Sequence, residues 1–186
     1  MKKVVFLAAL VLSGLCAVAQ SYKVAYVNFE VIIGNHPELK SIQSQIQTEE
    51  KQYQTRIQQM VAEYQQKGAE LQQAAQSGVV GEATLKDMQR QVVSLEQRIQ
   101  QLQQDAEQDL MNKQEALLSP LNAKVMAAVK VVAAEKNYDY VLNQNINGST
   151  VIVYAKKPKE DNITLDVMRK LAIPISATLQ AEYDSL

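Results

Sequence analysis

Apolar residues recur along most of the chain at alternating steps of four and three, which is the a/d spacing of coiled-coil helices. Glutamine, glutamate and lysine fill most other positions, so each helix would bury only a narrow stripe. The first series is Ile46, Glu50, Tyr53, Ile57, Met60, Tyr64, Lys67, Leu71 and Ala74. The second is Leu85, Met88, Val92, Leu95, Ile99, Leu102 and Ala106, which shifts register near Leu110 and resumes as Leu117, Leu121, Val125, Ala128 and Val132.

A short break at residues 77–81 separates the two series, so the second helix must fold back on the first. Gly78 suits the position just after a helix, and Gly81 suits the start of the next one. The pattern therefore predicts an antiparallel helical hairpin. An arm of about 36 residues would reach on the order of 50 Å at ~1.5 Å per residue.

Short segments rich in β-branched and aromatic residues flank the hairpin and predict strands at Lys23–Phe29, Tyr138–Asn143 and Thr150–Ala155. Asn147-Gly148 is a strong hairpin signal between the last two. The turn cluster at 34–37 precedes the arm. A short helix is predicted from Thr164 to Leu171, since Pro174 follows.

These elements predict an α+β fold in which a long antiparallel helical hairpin is inserted into a small β body. The arm would span 41–118, with its tip at 77–81, and the body 20–40 and 119–172; the segment 173–186 has no assigned role. Three short strands leave open sheet edges, so association through the sheet is expected. The candidate oligomerisation residues are Val24, Tyr26, Val141, Val151 and Val153.

The first 19 residues have the form of a secretory signal peptide: a basic start, an apolar run from Val4 to Leu15, and an A-x-A cleavage site. Cys16 does not lie in a lipobox, because Leu15 and Ser13 occupy the positions before it. The exported chain would hold no cysteine, so disulfides would not contribute to its stability. No later stretch is expected to approach the length of apolar sequence that a membrane helix needs.

Candidate chemistry changes this interpretation little. Without the leader the chain has 17 basic and 20 acidic side chains, which gives no electrostatic reason to expect nucleic-acid binding. His36 is expected at the surface, without a catalytic or metal role, and Asp105, Glu107 and Asp109 are expected on solvated helix faces. No catalytic or phosphate-binding motif occurs. We therefore expect no enzyme activity and no cofactor.

The remaining candidates are binding surfaces. Val79, Val80 and Val93 lie off the apolar stripe among many glutamines, whose amides donate and accept hydrogen bonds without charge. Such a surface suits partners that are held weakly and without sequence preference. The basic run Lys156-Lys157-Pro158-Lys159 is either a solubilising linker or a weak contact with a membrane surface or lipopolysaccharide.

The chain resembles the Skp, or OmpH, family of periplasmic chaperones. The resemblance rests on the opening strand Lys23–Asn28, on Tyr138-Asp139-Tyr140-Val141-Leu142, and on Asp161–Val167 after the second hairpin. It implies a homotrimer whose strands form a central body and whose hairpins enclose a cavity. Family members are strongly basic, whereas this chain is slightly acidic, and residues after Leu171 extend beyond the family's usual end.

The resemblance implies an ATP-independent holdase in the periplasm that binds unfolded outer-membrane proteins and prevents their aggregation in transit. An alternative of another class is a structural or adaptor protein of the envelope that docks one folded partner. Prevention of aggregation distinguishes the first function, whereas tight binding to one folded protein distinguishes the second.

Overall fold

The computed structural model describes residues 22–146 and 148–185. The predicted signal peptide therefore lies outside the described residues. The elements follow the order β1 (Val24–Val27), α1 (Phe29–Gly34), α2 (Pro37–Ser77), α3 (Glu82–Glu135), β2 (Tyr140–Asn143), β3 (Asn145–Ile146), β4 (Ser149–Thr150), α4 (Pro158–Asp161), α5 (Thr164–Lys170) and α6 (Ala177–Asp184). The α+β class and the helical hairpin are thus confirmed.

Helices α2 and α3 form the arm, and local signals fix where they begin and end. Helix α2 begins at Pro37, whose fixed φ suits a first helical position. It ends at Ser77, because Gly78 adopts the left-handed conformation with φ of 66°. The carbonyl of Gly81 then accepts hydrogen bonds from the amides of Thr84 and Leu85, which starts α3. Both predicted glycine roles are confirmed.

His36 is buried, with 9 % of its surface exposed, so the expectation of a surface histidine was wrong. Its Nδ1 atom accepts a hydrogen bond of 3.2 Å from the amide of Glu38. His36 therefore caps the N-terminus of α2, where unpaired amides need an acceptor. The sequence pattern did not reveal this role because histidine is not among the usual capping residues.

Cross-helix contacts define one continuous antiparallel register in the arm. Lys124 pairs with Glu38 at 2.6 Å, and Lys113 pairs with Glu49 at 3.4 Å. A step of eleven residues along α2 thus matches a step of eleven along α3. The next contact, from Tyr53 to Asp109, moves four residues on each helix. No residue is inserted or skipped over this part of the arm.

The residues between the two helices largely follow the heptad pattern. Tyr53, Leu95 and Ala106 are buried, and most other members of both series are partly buried. Glu50 is an exception, because it is exposed and Glu49 instead faces α3. The predicted series kept a strict seven-residue spacing there, whereas a straight α-helix with 3.6 residues per turn drifts from that spacing.

Helix α3 continues through Pro120. By length and composition it is the one helix in the described parts of the chain that could cross a membrane, with an 18-residue window of mean hydropathy 1.4. No such apolar stretch was expected from the sequence. The window arises because alanines, valines and leucines between Leu117 and Ala134 outweigh Lys124 and Lys130. The core helix of a soluble protein meets the same criterion, so this is weak evidence for a membrane span.

The described residues divide into two compact units, one of residues 22–31 and 127–185 and one of Ile32–Met126. In the first unit, which we call the body, β1 and β2 pair in parallel, with Val24 opposite Tyr140 and Tyr26 opposite Leu142. On its other side β1 makes a single bridge from Tyr26 to Asn162. Strand β2 is therefore an edge strand among the described residues.

The predicted strand at Thr150–Ala155 was wrong beyond its first residue. The described hairpin comprises only β3 and β4, with Ile146 opposite Ser149, and the chain leaves strand geometry after Thr150. The segment has the side chains of a strand but no neighbouring strand within the described protomer, and a strand needs such a partner. The first strand is also shorter than predicted, because Phe29 begins α1, whose first turn Asn28 caps by accepting from Val31.

Helix α5 supplies much of the core of the body, with Val167 and Met168 fully buried. After α5 the chain turns at Ala172, which has a left-handed φ of 54°, and Ile173 is buried. The segment of unassigned role then forms α6, whose first turn is capped by the Ser176 hydroxyl.

Candidate binding surfaces

The tip of the arm presents apolar side chains to solvent. The Ser77 hydroxyl donates to the carbonyl of Ala74 at 2.8 Å and accepts from the amide of Val79 at 3.4 Å. These bonds and the left-handed Gly78 hold the loop, with Val79 87 % exposed and Val80 partly exposed. Val93, on α3, is 45 % exposed. All three candidate contact residues are therefore accessible, two at the tip and one on the side of the arm.

Glutamines on the exposed faces bond to neighbours on the same helix. Five such bonds on the arm join residues four apart, from Gln45 to Ser41, Gln54 to Glu50, Gln66 to Glu70, Gln101 to Asp105, and Gln108 to Asn112. Bonds of this kind support an isolated helix by a few tenths of a kcal/mol, about 0.2–0.5 per pair. They are exposed, so water or a bound polypeptide can replace them at little cost.

One polar group lies inside the arm, between the helices. The hydroxyl of Tyr53 donates a hydrogen bond of 2.5 Å to Oδ2 of Asp109, and the Arg56 guanidinium lies 4.5 Å from the centre of the Tyr53 ring. This bond to the Asp109 carboxylate raises the pKa of Tyr53, with burial adding to the effect. Asp109 remains exposed, so the expectation that it lies on a solvated face is confirmed, although its carboxylate also accepts this bond from the buried Tyr53.

The sheet of the body has an exposed apolar face. Val24 is 42 % exposed, Tyr140 is 55 % exposed, and Leu142 lies beside them. Tyr22 packs edge-on against Tyr140, with 5.6 Å between ring centres. Tyr26, by contrast, is buried within its own body, and burial raises its pKa. Of the candidate oligomerisation residues on the two strands, Val24 is thus accessible, Val141 is partly so and Tyr26 is not.

The segment after β4 is the most exposed apolar stretch of the body. Val153 and Tyr154 are 88 % and 81 % exposed, and Val151 is 49 % exposed. The three lysines of the basic run follow this stretch. Lys157 is paired with Glu160 at 2.7 Å, and this hydrogen bond raises its pKa. The amides of Val151 and Ile152 donate to the carbonyl of Gln144, at 2.8 and 3.3 Å, so the segment offers irregular backbone and apolar side chains next to positive charge.

A small polar cavity of about 210 Å³ lies in the body between α5 and α6. Asp166 on its wall pairs with both Lys136 and Arg169, and Arg169 also donates to the side chain of Gln180 at 3.2 Å. These charges compensate one another, so the cavity has the character of a structural ion-pair network. Within residues 22–146 and 148–185, no group of three metal-ligating side chains occurs.

The accessible features are thus spread over a long arm and the face and edge of a small sheet. This arrangement defines a class of α+β proteins whose accessible surfaces are extended and mostly polar. Residues 23–171 match the model of the OmpH family, described as outer membrane protein (OmpH-like), and the chain belongs to this family. The family is a periplasmic chaperone family. No curated protein matches the chain.

Proposed function

We propose that this protein is an ATP-independent periplasmic holdase that keeps unfolded outer-membrane proteins from aggregating on their way to the outer membrane. The observation that carries the proposal is the arm itself. Its apolar seam is occupied by contacts between α2 and α3, while its outer surface offers glutamines and scattered apolar groups such as Val79 and Val93. Such a surface supports weak contacts that do not depend on client sequence.

We also propose that three copies assemble through the body. Two features support this: the apolar face around Val24 and Tyr140, and the edge strand β2. The exposed segment from Val151 to Ala155 has strand-forming side chains without a strand partner in the described protomer. It is suited to pair with the edge of a neighbouring copy, since an added strand satisfies backbone groups on both sides.

Aggregation of an unfolded β-barrel protein tests the proposed activity. The β-barrel protein is diluted from urea in the presence of increasing amounts of this protein, without nucleotide, and light scattering is followed. A holdase suppresses scattering at near-stoichiometric ratios and keeps the client soluble. Undiminished scattering would refute the proposal, and tight binding to one folded envelope protein would then favour the adaptor function.

Sedimentation equilibrium tests the proposed assembly. Lysine at Val151 or Val153 should weaken association by a few kcal/mol, because an unpaired charge would be buried at the interface. A lysine at Thr178, on the exposed side of α6, provides the matched control and should leave the mass unchanged. An unaltered trimer in both valine variants would show that this segment is not at the interface.

Contact with lipopolysaccharide or a membrane surface stays a weaker proposal. Of the three lysines of the basic run, Lys157 is already paired with Glu160. Lys156 and Lys159 are exposed and could meet an anionic head group. Co-sedimentation with vesicles that contain anionic lipid should fall when both are replaced by glutamine, and equal binding by the two proteins would exclude this segment.

A further inference from the structure

Helix α3 carries a second apolar face in addition to the one that packs on α2. Leu110, Leu121 and Val125 are partly or fully buried, whereas Met111 and Met126 are 59 % and 49 % exposed. Leu118 follows Leu117, which belongs to the apolar stripe between the two helices. Leu118 is partly exposed and lies in a shallow groove with Met111. We call Met111, Leu118 and Met126 the methionine face.

The three side chains lie on one side of the helix. Steps of seven and eight residues separate them, and each step is close to two helical turns of 3.6 residues. The other groups that line the groove are Gln114, Glu115, Ser119 and Asn122, of which Glu115 is the one charge. The face is therefore a line of apolar side chains among neutral polar ones, with a single charge, on an arm whose exposed positions are mostly charged or amide side chains.

The size of the face argues for a weak partner. A specific and stable interface between folded proteins buries about 800 Å² on each side. Three side chains, one of them already partly buried, cannot supply such an area. They suit a contact that forms and breaks readily and is repeated at several places.

The length of the face suits an extended chain. Met111 and Met126 are fifteen residues apart, about 22 Å along the helix axis at ~1.5 Å per residue. An extended segment of about seven residues covers this distance at ~3.3 Å per residue. Methionine side chains are flexible and polarisable, so they adapt to apolar groups of different shapes.

We infer that the methionine face binds short, extended apolar segments of unfolded polypeptide. This inference rests on the proposed holdase function and names a site for it on the side of the arm. The methionine face is separate from the candidates Val79 and Val80 at the tip, because its side chains lie along α3. These side chains are also chemically unlike the glutamines around them.

The first test replaces Met111 and Met126 together. Glutamine at both positions should weaken binding of an unfolded β-barrel protein by about tenfold in Kd, since each partly buried thioether contributes on the order of fivefold or less. Leucine at both positions keeps the apolar surface and should bind within about twofold of the original protein. Circular dichroism should show equal helix content in all three, because both side chains are exposed.

The second test uses the chemistry of the thioether. Hydrogen peroxide adds one oxygen atom to the sulfur, which gives the polar sulfoxide and releases water. Met111 and Met126 should oxidise first, ahead of the half-buried Met60 and Met88 and well ahead of the buried Met168, as peptide mass spectrometry can show. Mild oxidation should weaken client binding of the original protein and leave that of the double leucine variant unchanged.

Three outcomes would overturn the inference: full binding by the glutamine variant, weak binding by the leucine variant, or equal sensitivity of the original and leucine proteins to peroxide. The failure of the proposed function has a different signature. In that case the untreated original protein itself would not suppress aggregation, and the variants would have no activity to lose.

Discussion

The phenolic oxygen of Tyr53 lies 2.5 Å from Oδ2 of Asp109, so a hydroxyl–carboxylate hydrogen bond joins the two helices inside the arm. Tyr53 is 8 % exposed and occupies a position that the heptad pattern assigns to an apolar residue. Asp109 is exposed, so the hydrogen bond is half-buried; it favours the arrangement in which both partners meet and disfavours those that leave the buried Tyr53 hydroxyl unpaired. The pair thus favours the observed register of α2 on α3.

Replacing Tyr53 by phenylalanine should lower the melting temperature of the arm, because the ring is kept while the Asp109 carboxylate loses its donor. Thermal unfolding followed by circular dichroism at neutral pH measures this. Tyr64→Phe is a matched control, since Tyr64 is half-buried in the same helix and its hydroxyl makes no hydrogen bond to any residue that the structure describes. A larger loss in the control would show that the Tyr53 pair contributes little.

The same pair predicts a pH dependence. The pKa of Tyr53 is raised above the usual value of 10.0 by its bond to Asp109, so the folded protein holds this proton more tightly than the unfolded chain does. Stability should therefore fall as pH rises above about 10. Melting curves between pH 8 and 11 should fall less steeply in Tyr53→Phe than in the original protein. Equal slopes would contradict the assignment, because Tyr26, Tyr138 and Tyr183, whose pKa values are also raised, are unchanged in both proteins.

Two glycines of the arm should respond in opposite ways to alanine. Gly68 lies within α2, and an added Cβ would meet nothing within 4 Å, so Gly68→Ala should stabilise the protein by about 0.5–1 kcal/mol. Gly78 has φ of 66°, where a Cβ is strained, so Gly78→Ala should destabilise it by about 1 kcal/mol. Urea unfolding measures the free energy of unfolding of both variants, and each variant serves as the control for the other. A change of the same sign in both would contradict the role assigned to the backbone conformation.

Single truncations of the tip and side contacts should change client affinity little. We expect Val79→Ala, Val80→Ala and Val93→Ala each to cost less than about 1 kcal/mol, because many weak contacts share the binding and none acts as a hot spot. Client titration followed by scattering or calorimetry measures this. One variant that abolishes binding would instead indicate a localised site.

Shortening the arm should have a larger effect than any of these substitutions. The register permits deletion of two heptads from each helix, residues 57–70 and 92–105, with the Tyr53–Asp109 contact kept on the side toward the body. Much of the holding activity should be lost while helical structure remains. Full activity in the shortened protein would place the contacts outside the deleted part.

Salt should weaken client binding only gently. The chain without its leader has a net charge of −3, and seven of the ion pairs within the described residues join opposite charges at 3.2 Å or less. With both signs nearly balanced, no large charge of one sign attracts a client, so screening should remove little binding energy. Titrations at low and high ionic strength decide this, and a steep dependence would indicate a charged client site.

The arm could be predicted because its pattern is local and repeated. The stripe that contains Tyr53 and Leu95 and the turn at Gly78 follow from spacing alone. The exposure of Glu50 could not be predicted in this way. A small rotation of α2 away from the ideal heptad spacing decides whether Glu50 or Glu49 contacts α3. The capping role of His36 depends on a single local geometry, which the residue type does not indicate.

The body was less predictable because its structure depends on long-range pairing. The sequence located the cores of β1 and β2, but their parallel pairing joins segments that are far apart in the chain. The segment from Val151 to Ala155 has the composition of a strand and remains irregular, since backbone partners, which composition does not specify, decide the outcome. The binding candidates Val79 and Val93 were visible in the sequence as residues off the stripe or at the turn, whereas the methionine face became visible only from the exposure of each side chain in the folded protein.

The parallel pairing of β1 with β2 also has a consequence for the order of folding. Lys23 and Asp139, whose hydrogen bond lies at the start of this pair, are separated by 116 positions. An unstructured chain would pay a large entropic cost to close such a loop, while α2 and α3 form through contacts that are close in sequence near Gly78. Once α2 and α3 have paired, the loop that must still be closed to bring β1 to β2 is short. The arm should therefore fold first and the sheet last, so the sheet face and edge through which we propose that copies associate would form only after the arm is complete.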